Sequence, residues 1–216
     1  TYESVNHFKI GLNWDKSWTD KIILSTYGFY SFRDFYGKLP FENGGIIDLT
    51  RNYFGLGSRL NYKNGKNNLQ VAVELLDQSD QRDRYLNILG SQGSNSFSQE
   101  EKFQNFSFSI LDELKLEALF FRLSLRYDDM RLGTDSFSQD QIYQVINPSL
   151  GVSYELTPFQ HFYVNFSTSF ETPTLSELSA NPSGAEGFNF ELSPSEAISY
   201  ELGWKGQWQK FKLETN

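Results

Sequence analysis

Phe54-Gly55-Leu56-Gly57-Ser58-Arg59-Leu60-Asn61-Tyr62-Lys63-Asn64-Gly65-Lys66-Asn67-Asn68-Leu69-Gln70-Val71-Ala72-Val73-Glu74-Leu75 is the stretch that decides the fold. Phe54, Leu56, Ser58, Leu60 and Tyr62 share one face of its first run, against Gly55, Gly57, Arg59 and Asn61. Leu69, Val71, Val73 and Leu75 share one face of its second, against Gln70, Ala72 and Glu74. A repeat of two residues is that of a strand, because successive side chains point to opposite faces. Asn64-Gly65 between the runs tolerates the positive φ angles that tight hairpin turns require. The stretch predicts an antiparallel hairpin with one apolar and one polar face.

The plan extends in both directions. Upstream, Phe8, Ile10, Leu12 and Trp14 lie against Lys9, Gly11 and Asn13, with a short turn expected at Asp15-Lys16-Ser17. A second strand runs from Lys21 to Phe35 with Ile22, Leu24, Thr26, Gly28, Tyr30 and Phe32 on one face. Downstream, Phe106, Phe108 and Ile110 lead to a turn near Leu116–Ala118, and Phe121, Leu123, Leu125 and Tyr127 alternate with Arg122, Ser124, Arg126 and Asp128. Leu150, Val152 and Tyr154 precede a turn at Thr157-Pro158, after which Phe162, Val164, Phe166, Thr168 and Phe170 return. Ile198, Tyr200, Leu202 and Trp204 descend to a turn at Gly206-Gln207, and Phe211 opens the next strand. Polar segments at Lys38–Asp48, Asp77–Glu101, Met130–Gln141 and Thr172–Ser195 read as long loops. Short turns alternating with long loops is the rhythm of transmembrane β-barrels, whose strands of about ten residues turn every other side chain to lipid.

The expected fold is therefore all-β: an antiparallel up-and-down transmembrane β-barrel, present here as about ten strands. On this reading Phe54, Leu56, Leu123, Leu125, Val164 and Phe166 touch hydrocarbon. Arg59, Glu74, Arg122, Arg126, Glu201 and Lys205 fall on the opposite parity, where a wet lumen accepts them. Trp14, Trp18, Tyr62, Tyr154, Trp204 and Trp208 flank the short turns and read as an interfacial aromatic girdle, since such rings are apolar with a polar tip.

Composition excludes several classes. With 19 Lys and Arg against 27 Asp and Glu, net charge −8, the chain has no basic patch for nucleic acid. Cysteine is absent, which rules out disulfides and thiolate sites. No apolar run approaches the 18 or so residues of a transmembrane helix. The opening residues Thr1 to Phe8 lack a basic start and an apolar stretch, and Phe211 to Asn216 begins a strand, so the reading expects a piece of a longer exported protein. No catalytic or metal site is expected: His7 and His161 are the two histidines, far apart, and no glycine-rich phosphate loop occurs. No cofactor is expected either.

One region carries a resemblance. Phe170, Pro173, Glu177 and Leu178 fit an "aromatic-x-x-Pro-x-x-x-Glu-Leu" segment; Asn189, Leu192 and Pro194 fit an Asn-containing "Leu-x-Pro-Glu" segment; and Tyr200, Glu201, Leu202, Gly203 and Lys205 fit a "Tyr-Glu-Leu-Gly-x-Lys" strand. These resemble the barrel of TonB-dependent outer-membrane receptors, with Ser195 standing where the family has its acid. Asp112-Glu113-Leu114, Leu125-Arg126-Tyr127-Asp128 and Asn147-Pro148-Ser149-Leu150-Gly151 look like its middle strands. Arg33-Asp34-Phe35 and Ile47-Asp48-Leu49-Thr50-Arg51 look like its ferric-siderophore branch. The resemblance implies a 22-stranded barrel around a plug, import of a ferric siderophore or similar nutrient driven by the TonB complex through that plug, and the outer membrane of a Gram-negative bacterium. Residues 1–216 would then be a partial barrel without plug or closing strands. Arg59, Gln70, Glu74, Arg122, Arg126, Asn165 and Glu201 would face lumen and plug, and the loops Asp77–Glu101 and Thr172–Ser195 would meet substrate. Two rival readings remain open: a self-contained ten-strand barrel enzyme with a hydrolytic site at its rim, and a soluble β-sandwich binding module.

Overall fold

Alternation of this kind produces ten strands: β1 (Tyr2–Thr19), β2 (Ile22–Lys38), β3 (Ile46–Asn64), β4 (Asn67–Ile88), β5 (Ser91–Leu116), β6 (Leu119–Thr134), β7 (Gln141–Thr157), β8 (Gln160–Glu171), β9 (Ser195–Trp208) and β10 (Phe211–Thr215), with a single helical turn, α1 (Leu175–Leu178). The computed structural model describes residues 2–135, 140–179, 188–208 and 211–215, with only the backbone of Trp208. Each strand pairs antiparallel with the next in one open sheet ordered β1 to β10, so the first and last strands lie at opposite edges. A single sheet with an uncovered apolar face is not a sandwich, which needs two sheets packed on each other. Among the described residues no helix is long and apolar enough to cross a membrane.

Two-residue turns close one end of the sheet, at 20–21, 65–66, 117–118 and 158–159. This is the short-turn end. At the hairpin of the opening stretch, Asn64 is the last paired residue of β3 and Gly65 alone takes positive φ, 54°.

Several expected boundaries move. Asp15, Lys16 and Ser17 are not a turn: they pair with Ser25, Leu24 and Ile23 inside the β1–β2 ladder. The chain reverses at Asp20-Lys21, where the Thr19 hydroxyl accepts the N–H groups of Lys21 and Ile22 at 3.2 and 3.1 Å. Gly206-Gln207 likewise stays in strand, paired with Leu213 and Lys212. The largest correction is Asp77–Glu101, which is not a loop. Its two halves pair from Asp77↔Gln104 up to Ile88↔Ser91, and the chain turns at Leu89-Gly90 with φ of 51° and 91°. Met130–Gln141 contracts to the stretch between Thr134 and Gln141, of which 136–139 lie outside the described residues, and Lys38–Asp48 to residues 39–45. The common cause is that strands continue past the apolar band: main-chain pairing needs no apolar side chain, so polarity marks where lipid ends, not where the strand ends.

Register assembles the two faces. Leu24, Leu60, Val71, Ile110, Leu125 and Pro148 form one cross-strand row, and the adjacent row on the other face reads Ser25, Arg59, Ala72, Ser109, Arg126 and Asn147. The apolar face is bare: Phe54, Leu56, Leu123, Leu125 and Val164 are all exposed, Leu12 by 77% and Leu202 by 70%. Phe166 is half-buried against Tyr200, ring centroids 5.3 Å apart. At about 25 cal/mol per Å² of apolar surface, such a face is unfavourable in water and at home in hydrocarbon.

On the polar face, glycines make room for rings. Tyr27, Gly57 and Glu74 occupy one row, and with no side chain on Gly57 the Tyr27 ring crosses β3 and its hydroxyl donates to Glu74. A Cβ on Gly57 would sit 2.4 Å from that ring; Gly55 beneath Phe29 and Gly203 beside Tyr163 repeat the device at 2.2 and 2.3 Å. We expect Gly57→Ala to cost about 1–3 kcal/mol of overpacking, lowering the thermal midpoint in detergent. Gly11→Ala, whose Cβ would meet only ordinary contacts at 3.6 Å, should leave it unchanged. Leu123→Arg should cost about 2–4 kcal/mol at the lipid face and reduce assembly, read as heat-modifiable mobility on unboiled gels. Ser124→Arg, one residue on and facing the other way, should assemble normally.

Candidate functional site: a polar wall and the strap that covers it

The polar face is not simply wet; its charges are matched. Arg126 bonds Asp128 at 2.8 Å through Nη2 and Nε, and lies 3.9 Å from Glu74. Asn105 donates to Asp128 at 3.3 Å. Tyr27, Glu74 and Arg126 line a cavity of about 210 Å³ with Arg59, Ser107 and Ser109. Arg59 makes no ion pair with any described residue. Toward the short-turn end, Arg122 lies 3.7 Å from Glu113, which also accepts from Asn68 at 2.8 Å. Gln70 is half-buried on the same face. A separate group sits on β8–β10: Glu201 accepts from Tyr163 and Asn165 at 3.0 and 2.9 Å, and Lys205 pairs with Glu214 at 2.6 Å while lying over the Tyr163 ring. The expected lumenal residues thus share one face but form two clusters. Arg126 and Glu74 meet; Asn165 and Glu201 meet elsewhere.

Of the aromatics expected near the short turns, Trp14, Trp18 and Tyr154 are exposed, and Tyr62 and Trp204 are half-buried. The side chain of Trp208 lies outside the described residues. Trp14 lies well inside β1 rather than beside its turn, because that turn falls at 20–21.

At the long-loop end the segment after β8 folds back over the polar face. Thr174 caps α1: its hydroxyl accepts the Glu177 N–H at 3.2 Å, and the Glu177 carboxylate accepts the Thr174 N–H at 2.8 Å, a reciprocal capping box. Leu175 and Leu178 then bury against Leu132, Tyr143 and Phe188, with Phe103, Met130, Val145, Phe170 and Leu192 around them. This is the apolar core of the chain, and it belongs to the strap rather than to the sheet alone. Phe170 does not continue the lipid-facing series as expected; its ring packs 5.8 Å from Tyr143. Phe170 is still paired with Glu196 in the β8–β9 ladder, and the strap begins after Glu171.

Beneath the strap lies a buried ion pair. Arg82 donates to both oxygens of Glu101 at 2.8 and 3.0 Å, with side chains 8% and 0% exposed. Arg82 also donates to the Ser176 hydroxyl at 3.2 Å. Gln99 donates to Ser179, and the Ser179 hydroxyl donates to Glu101. Removing one partner of such a pair costs about 3–5 kcal/mol, because the other charge is left buried alone. The strap's serines complete the acceptor and donor needs of the pair, so wall and strap depend on each other. Sequence reading missed this site: Arg82 and Glu101 were assigned to an exposed loop. Their place on strands was concealed because the residues immediately beside them, Gln81, Asp83, Glu100 and Lys102, are all polar or charged.

The motif residues acquire physical roles. Glu177 closes the cap and Leu178 is fully buried. Asn189 donates its N–H to the Leu178 carbonyl at 2.8 Å, and its side chain accepts from the Glu191 N–H. Pro173 lines a cavity of about 380 Å³ with Arg51 and Gln78. On β9, Gly203 accommodates the Tyr163 ring, and Tyr200 and Leu202 stand on the bare apolar face. Pro194 precedes β9 as its half-buried lead-in.

A meander of ten described strands, apolar outside, ion-paired inside and with a strap over one end, is a stretch of transmembrane barrel wall. The model of the family "TonB dependent receptor-like, beta-barrel" matches residues 2–216, and the chain belongs to that family. Its members are transporters and receptors, not enzymes, and its barrels reside in the outer membrane. Over 66 residues the chain is 35% identical to the vitamin B12 transporter BtuB of Vibrio vulnificus (strain CMCP6), covering 31% of this chain and 10% of that protein. The fold is similar to the ferric citrate transporter FecA (TM-score 0.73, 19% identity, 94% of this chain and 32% of that one) and to the copper transporter OprC (TM-score 0.75, 13% identity, 96% and 37%). The chain spans about a tenth of the first of these proteins and about a third of the other two.

The bonds from Thr174 hold the Glu177 carboxyl below the usual carboxylate range, its backbone N–H first and its hydroxyl second. A carboxyl lowered on folding contributes stability above its unfolded pKa and loses it as pH falls through the folded one. Hydrogen-exchange protection of the Leu178 and Ser179 amides should therefore hold at neutral pH and fall as the pH drops through the folded-state pKa of Glu177, at lower pH than a free glutamate would titrate. In Glu177→Gln that acid-dependent step should be gone.

Proposed function

We propose that this chain is part of the wall of a 22-stranded TonB-dependent transporter that takes up a ferric siderophore across the outer membrane of a Gram-negative bacterium. The observation that carries the reading is the division of faces: every central strand offers uncovered apolar side chains on one side and matched charges on the other. The polar groups at Arg59, Gln70, Glu74, Arg122 and Arg126, and separately Asn165 and Glu201, would meet a plug domain, whose contact with TonB relays the energy for transport. Arginine forks suit carboxylates on such a partner. Arg59 is the leading contact, being unpaired beside the Tyr27–Glu74–Arg126 cavity. Trp14, Trp18, Tyr62, Tyr154, Trp204 and Trp208 would mark the periplasmic interface. Iron as cargo is supported by the siderophore-branch likeness around Arg33 and Ile47 and by the fold shared with a ferric citrate transporter. The local identity with a vitamin B12 transporter favours cobalamin as the second reading.

Uptake of radiolabelled iron from a panel of siderophores, with labelled cobalamin alongside, separates the two in cells deleted for the full-length gene and complemented with it. Loss of import of one ferric chelate on deletion, restored by complementation, is the expected result. Undiminished import of every chelate together with lost cobalamin uptake would reject iron as the cargo.

A further inference from the structure

The outward, apolar face changes character where its lipid-facing band ends toward the long loops. On β2 and β3 that boundary is neutral and closed, the Tyr30 hydroxyl donating to Asn52 at 2.6 Å. On β4, β5 and β6 it is charged. Leu75, Phe106 and Tyr127 close the apolar run on those strands, and the next outward positions are Asp77, Gln104 and Asp129, with Arg131 following. Together with Phe54 these residues line a notch of about 650 Å³. Its floor, Phe54, Leu75 and Phe106, is exposed and runs on into Val73 and Phe108 of the same apolar face. A charge costs little at this depth of a bilayer, so cost does not single the notch out. Shape and pairing do.

The charges at the rim are used unequally. Arg131 donates through Nε to Asp129 at 3.2 Å, and Asp129 also accepts from Gln144 at 2.8 Å. That carboxylate is balanced, while no described residue takes the Nη groups of Arg131, whose side chain is 55% exposed. Asp77 accepts from the Gln104 amide at 2.8 Å and makes no ion pair with any described residue. The notch thus offers free guanidinium donors on one side and an unbalanced carboxylate on the other. Asp77, Gln104 and Arg131 share one cross-strand row, so the two groups stand two strand spacings, about 10 Å, apart at their Cα atoms. Guanidinium donors match phosphate oxygens, and a carboxylate matches an ammonium. An anionic headgroup satisfies the first and is repelled by the second; a zwitterion satisfies both. The apolar floor, continuous with the bilayer-facing surface, takes the acyl chains below such a headgroup.

We propose that this notch is a lipid site on the outside of the wall, selective for a lipid with a zwitterionic phosphoethanolamine headgroup. Arg131 holds the phosphate, Asp77 the ammonium, and Phe54, Leu75 and Phe106 the upper part of the acyl chains. The inference rests on the barrel wall alone and is independent of which cargo is carried. Native mass spectrometry of the full-length receptor, stripped of lipid in detergent and titrated with dioleoyl phosphatidylethanolamine or dioleoyl phosphatidylglycerol, tests it. Wild type should retain the ethanolamine lipid about fivefold more tightly, the worth of one charge contact near the membrane surface. R131Q should weaken both lipids about tenfold, since both carry the phosphate. D77N should weaken only the ethanolamine lipid, by about fivefold, and so erase the preference. D48N, further toward the long loops on the same face, should change neither. No preference in wild type, equal weakening of both lipids by D77N, no effect of R131Q, or tighter retention of a bisphosphorylated lipid A lacking ethanolamine would overturn the proposal. Heat-modifiable mobility of each variant separates lost lipid from lost folding.

Discussion

Main-chain hydrogen bonding is the constraint on which the rest depends. In hydrocarbon an unpaired N–H or C=O costs several kcal/mol, so a chain that crosses by strands must pair each one with neighbours on both sides. The ladders from β1 to β10 do this among the described residues, with register shifts near Thr19, Tyr85 and Glu155, and with β7 and β8 paired only from Ser149↔Ser167 to Thr157↔Gln160. Once the backbone is satisfied inside the sheet, side chains are free to serve two solvents. Leucine and phenylalanine on one face need no partner, while arginine and glutamate on the other find each other within the wall. The rings laid across Gly55, Gly57 and Gly203 belong to the same solution: all three cover bare backbone, and the two that are tyrosines, Tyr27 and Tyr163, carry hydroxyls to Glu74 and Glu201.

The strap shows a second principle. Buried charge is tolerated only where geometry is good and all donors are used. Arg82 and Glu101 meet that demand by borrowing Ser176 and Ser179 from the segment after β8. Pro173, Glu177, Leu178, Asn189, Leu192 and Pro194, by which the chain resembles its family, fall on this segment, and Glu177, Leu178 and Asn189 each fasten it. What reads as a motif in the sequence is, in three dimensions, a set of clasps.

Legibility followed the physics. The hairpin around Asn64-Gly65 was readable because its glycine meets a conformational need and its flanks alternate. The hairpin at Leu89-Gly90 was not, because leucine disfavours the left-handed region by about 1–2 kcal/mol and its strands carry polar residues on both faces above the lipid. Parity placed Arg59, Glu74, Arg122, Arg126, Asn165 and Glu201 on one face, but period alone does not tell which of them touch. That depends on register between strands and on which neighbour is glycine. Phe170 misled for a related reason: alternation continues through it in the sequence, whereas its ring packs against Tyr143 beside the core that seats the strap.

Strict two-sidedness also limits how such a wall can change over evolutionary time. Adding or deleting one residue within β4 would exchange the roles of every position beyond it, presenting Glu74 to acyl chains and Val73 to the aqueous interior. Length variation in these strands should therefore be accepted in pairs, or be absorbed at bulges and in the connecting segments. Diversity among related walls is channelled toward the rims, where it leaves the lipid boundary untouched.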